Sequence, residues 1–208
     1  DYDAYVMGTA DSLEVEKLSV RGTVGEVEQD ENGKYKPETY KLDQIRALSE
    51  QCAADAAVHK RHRGVIGLPL GLNMYENLFF WVAFFHSLDF DLVISDISSR
   101  QLYAKGQYSV PSDTACYPAK LMHGHIENLL DKGVDTIFYP CMSYNFNEEK
   151  GDNHFNCPVV AYYPELLASN VEKLKNIRYL YPYLNLAERK TFPKKVWEAL
   201  HEQYPDIT

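Results

Sequence analysis

The sequence predicts an α/β domain: a mainly parallel sheet with helices on both faces, preceded by an N-terminal extension. Three observations carry this. From residue 64 onward, short buried-type strand runs alternate with helical runs, the pattern of a parallel sheet covered by crossover helices. Glycine or proline marks most of the junctions. The chain has 208 residues, enough for one ordinary domain plus an extension, and a chain of this size needs no disulfide staples to fold.

Residues 1–63 form the extension. Alternating Val15, Leu18, Val20, Val24 and Val27 read as one or two strands. Residues 28–40, rich in Asp, Glu, Asn, Gly and Lys, read as a loop. Residues 40–58 have helical spacing, with Leu42, Ile45, Leu48, Cys52 and Ala56 on one stripe. The basic run Lys60-Arg61-His62-Arg63 reads as a solvated linker. The α/β domain, residues 64–208, opens with a strand at 65–69. A helix follows over 75–88, a strand at 91–95, and a short helix over 98–105 that stops at Gly106. A second helix covers 118–132 and stops at Gly133, with Met122, Ile126, Leu129 and Leu130 as its apolar stripe. Residues 136–139 and 159–162 read as strands, with a polar loop at 142–156 between them. A helix from 163 to about 173, a strand at 177–180 and a helix over 193–203 complete the set.

Composition narrows the function. The formal net charge of −9 argues against nucleic acid or an anionic membrane as partner. No apolar run reaches membrane-spanning length. Four cysteines are too sparse for a disulfide scaffold, and no secretory leader opens the chain, so the reading is a reducing, cytoplasmic compartment. The absence of an initial Met suggests a piece of a longer protein. No G-x-G-x-x-G, P-loop, G-x-S-x-G or H-E-x-x-H motif occurs.

Cys116, Cys141 and Cys157 are the best chemical lead. Cys116 stands two residues before Pro118, so it lies just outside a helix N-terminus, where a thiolate is favoured. Cys141 follows the carboxyl end of the 136–139 strand, the usual place for a site in an open α/β sheet. Cys157 precedes Pro158. The separations match neither a zinc finger nor a bacterial ferredoxin, and free cysteines are commonly buried and inert. If the segment after Cys157 is a strand parallel to 136–139, Cys157 and Cys141 start at opposite ends of the sheet. They meet only if the 142–156 segment returns antiparallel or bends back. Cys52 reads as a small buried hydrophobe. His123 and His125, two apart on a helix, point about 200° apart and cannot share a metal. Gly124 between them costs the helix roughly 1 kcal/mol relative to Ala, which close approach of another backbone would explain. Asn73 suits a cap for the helix after the first strand.

The runs Ile66-Gly67-Leu68-Pro69, Asn73-Met74-Tyr75-Glu76, Phe80-Trp81, Ser112-Asp113-Thr114, Cys116-Tyr117-Pro118-Ala119-Lys120, His123-Gly124-His125-Ile126, Ile137-Phe138-Tyr139-Pro140-Cys141 and Asn156-Cys157-Pro158-Val159-Val160 make residues 64–170 resemble one known family. It is the uncharacterised domain of CoA-substrate-specific enzyme activases, related to 2-hydroxyacyl-CoA dehydratase subunits and double-cubane cluster proteins. The resemblance implies a Rossmann-like fold holding a [4Fe–4S] cluster, with Cys116, Cys141 and Cys157 as metal ligands. Asn73, Ser112, Lys120 and His123 would support them. It further implies low-potential electron relay to or from a CoA ester. The implied partners are ATP-dependent activator domains of the same or another chain, acyl-CoA, and other copies in an oligomer. The chain is about half the length expected of a complete dehydratase-type subunit and lacks activator ATP motifs, so it reads as a fragment not active alone. Leu70 and Leu78 stand where arginine and proline are expected. Two alternatives compete with the cluster: a docking or structural domain without one, and a zinc site built from two or three thiols with His123 or His154.

Overall fold

The first helix follows its stripe. In the computed structural model, which describes residues 39–144, 155–188 and 190–207, α1 spans Thr39–Ala57 and buries Ile45, Leu48, Cys52 and Ala56. The strands expected between residues 14 and 27, and nearly all of the loop at 28–40, lie outside the described residues. After α1 the chain enters β1 (Val65–Leu68), the one-turn helix α2 (Asn73–Glu76), α3 (Leu78–Ser87) and β2 (Asp91–Ile94). Then come α4 (Arg100–Gly106), a 3-10 turn (Gln107–Ser109), α5 (Tyr117–Asp131), β3 (Thr136–Phe138) and β4 (Cys141–Tyr144). The last elements are α6 (Pro158–Asn170), a 3-10 turn (Glu172–Asn176), β5 (Arg178–Leu180), β6 (Tyr183–Asn185) and α7 (Phe192–His201).

The expected fold class holds: a mixed α/β protein with a parallel sheet. A four-stranded sheet has the order β2-β1-β3-β5, and β4 pairs with β6 in a second. β1 runs parallel to β3, β3 to β5, and β4 to β6. The β3–β5 register sets Thr136 beside Arg178 and Phe138 beside Leu180. The β4–β6 register, Cys141 beside Tyr183 and Met142 beside Leu184, continues it. Pro140 and Pro182 therefore fall opposite one another. Neither has an N–H to give, so the ladder breaks there and one long pair of strands reads as two short ones. The Tyr139 and Cys141 N–H groups carry it past the break, bonding the carbonyls of Leu180 and Pro182 at 2.9 Å each.

The described residues divide into two units, one holding residues 39–65 and 77–93, the other residues 66–76 and the described part of the chain from 94 onward. In the first, α3 is buried nearly all round, from Leu78 to His86, as expected of a helix with no polar stripe. Its rings interlock: Trp81 stacks on Phe85 at 6.1 Å, and Phe85 meets the edge of Phe90 at 6.1 Å. The basic run beside it is not simply solvated. Arg61 is largely buried, with Nη1 3.0 Å from Asp55 and 3.4 Å from the buried Asp91.

In the second unit, α4 and α5 cross backbone to backbone. A Cβ added at Gly124 would stand 2.1 Å from the Leu102 carbonyl oxygen, and one at Gly106 would stand 2.2 Å from the Gly124 nitrogen. This is the close approach that Gly124 predicted. The strand expected at 159–162 is instead the first turns of α6. Pro158 sits in its first turn, where a missing N–H costs nothing.

Candidate functional site

In a parallel sheet the helix leading into a strand runs antiparallel to it, and this places the three thiols. α5 ends at Asp131 and β3 begins at Thr136, so the start of α5 lies about 22 Å back, toward the carboxyl edge of the sheet. Cys116 occupies the position just before that start, its thiol making no capping hydrogen bond. α6 leads through a 3-10 turn into β5 in the same way, and Cys157 stands just before its start. Cys141 opens β4, just past the carboxyl end of β3. All three thiols therefore belong to one edge.

The alternative in which the chain returns antiparallel is the one observed. Phe155 makes an antiparallel bridge with Tyr144. The Asn156 N–H donates to the Ser143 carbonyl at 3.0 Å, and its side-chain amide donates to the Met142 carbonyl at 2.9 Å. Cys157 is thereby laid alongside β4. Cys157 opens a helix and not a strand, which removes the opposite-ends difficulty. Residues 145–154, including His154, lie outside the described residues.

Sharing an edge is not sharing a metal. Among the described residues, no group of three or more His, Cys, Asp or Glu side chains is arranged to hold a metal ion. The donor chemistry of three thiols suits an iron–sulfur centre, but their arrangement in this conformation does not form a ready coordination set. Cys116 and Cys157 are exposed and Cys141 is buried. Burial pushes the Cys141 thiol up to about 11, with the Glu165 backbone and the Tyr183 side chain acting in the opposite direction. Cys52 is buried on α1 as a small hydrophobe, its thiol pushed up to about 12 by burial, with Asp55 adding to the shift.

The supporting residues fall in different settings. Asn73 is buried at the start of α2. Ser112 lies in an exposed turn, its hydroxyl 2.7 Å from the Thr114 hydroxyl. Lys120 closes that turn from α5 by donating to the Asp113 carbonyl at 2.7 Å. His123 is fully buried and joins α5 to α6. Its Nδ1 is 2.8 Å from the Ser109 hydroxyl and its Nε2 is 3.0 Å from the Tyr163 hydroxyl. Ser109 donates to the Gly106 carbonyl at 3.0 Å, so its oxygen accepts from Nδ1–H and Nε2 accepts from Tyr163. Burial holds His123 down to about 4. Burial raises the Tyr163 hydroxyl, with Cys116 adding to the shift.

Sequence reasoning missed the tyrosines of this edge. Tyr139, Tyr163 and Tyr183 lie around Cys141 and Cys116. The Tyr139 hydroxyl is fully buried without a hydrogen-bond partner, and the Tyr183 hydroxyl bonds the Glu165 carboxylate. Sixteen tyrosines were a signal, and the Tyr-Pro pairs at 139–140 and 181–182 a sharper one.

The geometry can be set beside known proteins. Neither a curated protein nor a solved structure matches the chain. No helix among the described residues is long and apolar enough to cross a membrane. The family model of the CoA enzyme activase uncharacterised domain matches residues 65–208, more than half of the sequence and all of the described thiol edge. The chain belongs to the CoA enzyme activase uncharacterised domain family.

Proposed function

We propose that this chain is the dehydratase-related redox module of a larger CoA enzyme activase protein. In this reading Cys116, Cys141 and Cys157 become the ligands of a [4Fe–4S] cluster when it assembles in the cytoplasm. The observation that carries it is the placement of all three thiols at the carboxyl edge of the sheet, two of them at the starts of helices α5 and α6. Thiolates are the ligands such a cluster needs, and when bound it supplies one-electron chemistry at low potential. Helix N-termini favour the negative charge of a thiolate-ligated centre. The partners would be ATP-dependent activator domains and, through them, acyl-CoA chemistry.

A second reading is favoured by one observation. The thiols are not gathered into a metal-holding group, which suits a docking or structural domain with the same fold and no cluster. Anaerobic reconstitution separates the two. The cluster reading expects about four irons and four sulfides per chain, lost on Cys116→Ala, Cys141→Ala or Cys157→Ala. Colourless protein with freely titrating thiols would establish the docking reading. A colourless metal bound at tetrahedral sulfur, with bonds of about 2.3 Å, would establish the zinc alternative.

A further inference from the structure

The loop between β2 and α4 carries a chain of polar groups that the thiol edge does not use. Ser95, at the end of β2, is fully buried. Its Oγ accepts the Leu70 N–H at 2.7 Å and lies 2.8 Å from His125 Nδ1. The other ring nitrogen, Nε2, lies 3.0 Å from the hydroxyl of Ser98. His125 is fully buried, whereas Ser98 is exposed. Asn128 and Lys132, farther along α5, hold the same loop: Asn128 exchanges two hydrogen bonds with Asp96 at 2.8 and 2.9 Å, and Lys132 pairs with Asp96 at 2.8 Å. Gly71 presses on the ring from the β1 loop, since a Cβ there would stand 3.3 Å from the His125 ring and 2.4 Å from the Met122 sulfur. The imidazole is thus fixed on three sides, with one nitrogen directed at a solvent-facing serine.

We propose that Ser98 is a nucleophile for acyl transfer from an ester or thioester, with His125 as its general base and Ser95 positioning the ring. Nucleophile and base within hydrogen-bond reach, and the base oriented by a third group, are the geometric requirements of such a site. Its place between a strand's carboxyl end and the next helix is where open α/β sheets present reactive residues. In the reactive tautomer Nδ1–H donates to the Ser95 oxygen, and the Nε2 lone pair faces Ser98. The Ser98 oxygen then bonds the acyl carbon as its proton passes to Nε2. The bond from that carbon to the alcohol or thiol breaks, and the leaving group takes the proton from Nε2. Water, deprotonated by Nε2, releases the acid and restores Ser98. Burial holds His125 down to about 4, with Asp96 opposing. The ring is therefore uncharged at neutral pH but weakly basic, so covalent labelling is a better readout than turnover.

The test uses the full chain and a fluorophosphonate probe, with the labelled serine located by peptide mass spectrometry. Ser98 is expected to label, and Ser98→Ala to lose that label. His125→Gln and Ser95→Ala should each slow labelling of Ser98 at least tenfold, since general-base assistance typically contributes 10²–10⁴-fold. If His125→Gln does not fold, Ser95→Ala, which keeps the ring but removes its Nδ1 partner, carries the test. No label at Ser98 in the parent chain overturns the proposal, as does an unchanged rate in a variant that melts like the parent. Neither result depends on iron, so this site and the cluster stand or fall separately.

Discussion

Replacing Gly124 by alanine sets two calculable effects against each other. Alanine favours a helix interior over glycine by roughly 1 kcal/mol. The added methyl, however, would stand 2.1 Å from the Leu102 carbonyl oxygen, 2.7 Å from its carbonyl carbon and 2.9 Å from its Cδ2. Even a carbon–oxygen contact of the weak hydrogen-bonding kind needs roughly 3.3 Å, so α4 and α5 must separate by about 1 Å. Two of the three obstructing atoms are backbone and cannot swing aside. Overpacking of this kind costs about 1–3 kcal/mol or more, and here the upper end applies because Gly106 meets α5 equally closely. The net expectation is a loss of about 2 kcal/mol. For a chain of this size that lowers Tm by about 4–8 °C, read by calorimetry or a circular-dichroism melt. The separation would also loosen Ser109 and His123, which lie next to the crossing, so Cys116 should become easier to alkylate. An unchanged or raised Tm would refute the backbone-to-backbone crossing.

Three further outcomes are expected. Burial holds His86, His123 and His125 each down to about 4, whereas in the unfolded chain they titrate near 6.5. The unfolded state thus binds more protons between these values, and stability should fall as pH drops below about 6.5 and keep falling to about 4. Urea midpoints that do not change between pH 7.5 and 5 would contradict this. Tyr139→Phe removes a fully buried hydroxyl that has no partner, so urea unfolding should show it neutral or stabilising by roughly 1 kcal/mol; a clear destabilisation would mean that the hydroxyl is bonded. Iodoacetamide at pH 7.5 should modify the exposed Cys116 and Cys157 quickly and the buried Cys52 and Cys141 far more slowly, since burial both shields these two thiols and raises their pKa. Peptide mapping that finds all four equally fast would contradict the burial of Cys141.

Where local chemistry decided the structure, the sequence was readable. Pro118 and Gly133 bound α5, and Cys116 lies just outside its N-terminus as expected. Gly124 announced a crossing that no periodicity could show. The misreading at 159–162 has a clear cause. Val159, Val160 and Tyr162 favour a strand, and Tyr163-Pro164 resembles a helix start, yet Pro158 is the true first turn and Pro164 lies inside the helix. Packing of α6 on β4 overrode local preference. β4 and β6 were hidden because Pro140 and Pro182 sever them from β3 and β5. The contacts of His125 with Ser95 and Ser98 span 30 and 27 residues, and no spacing motif encodes them. The shared edge of the three thiols was half legible: it needed only the choice of helix over strand after Cys157.

The most direct test of the central claim is peptide-resolved alkylation of the chain before and after anaerobic loading with iron and sulfide. A cluster held at this edge would convert Cys116 and Cys157 from fast-reacting to protected thiols, keep Cys141 protected, and return both to fast reaction when the iron is chelated. If Cys116 and Cys157 react at the same rate in both samples, whatever iron the chain carries is not held by these thiols, and the edge does not hold a cluster.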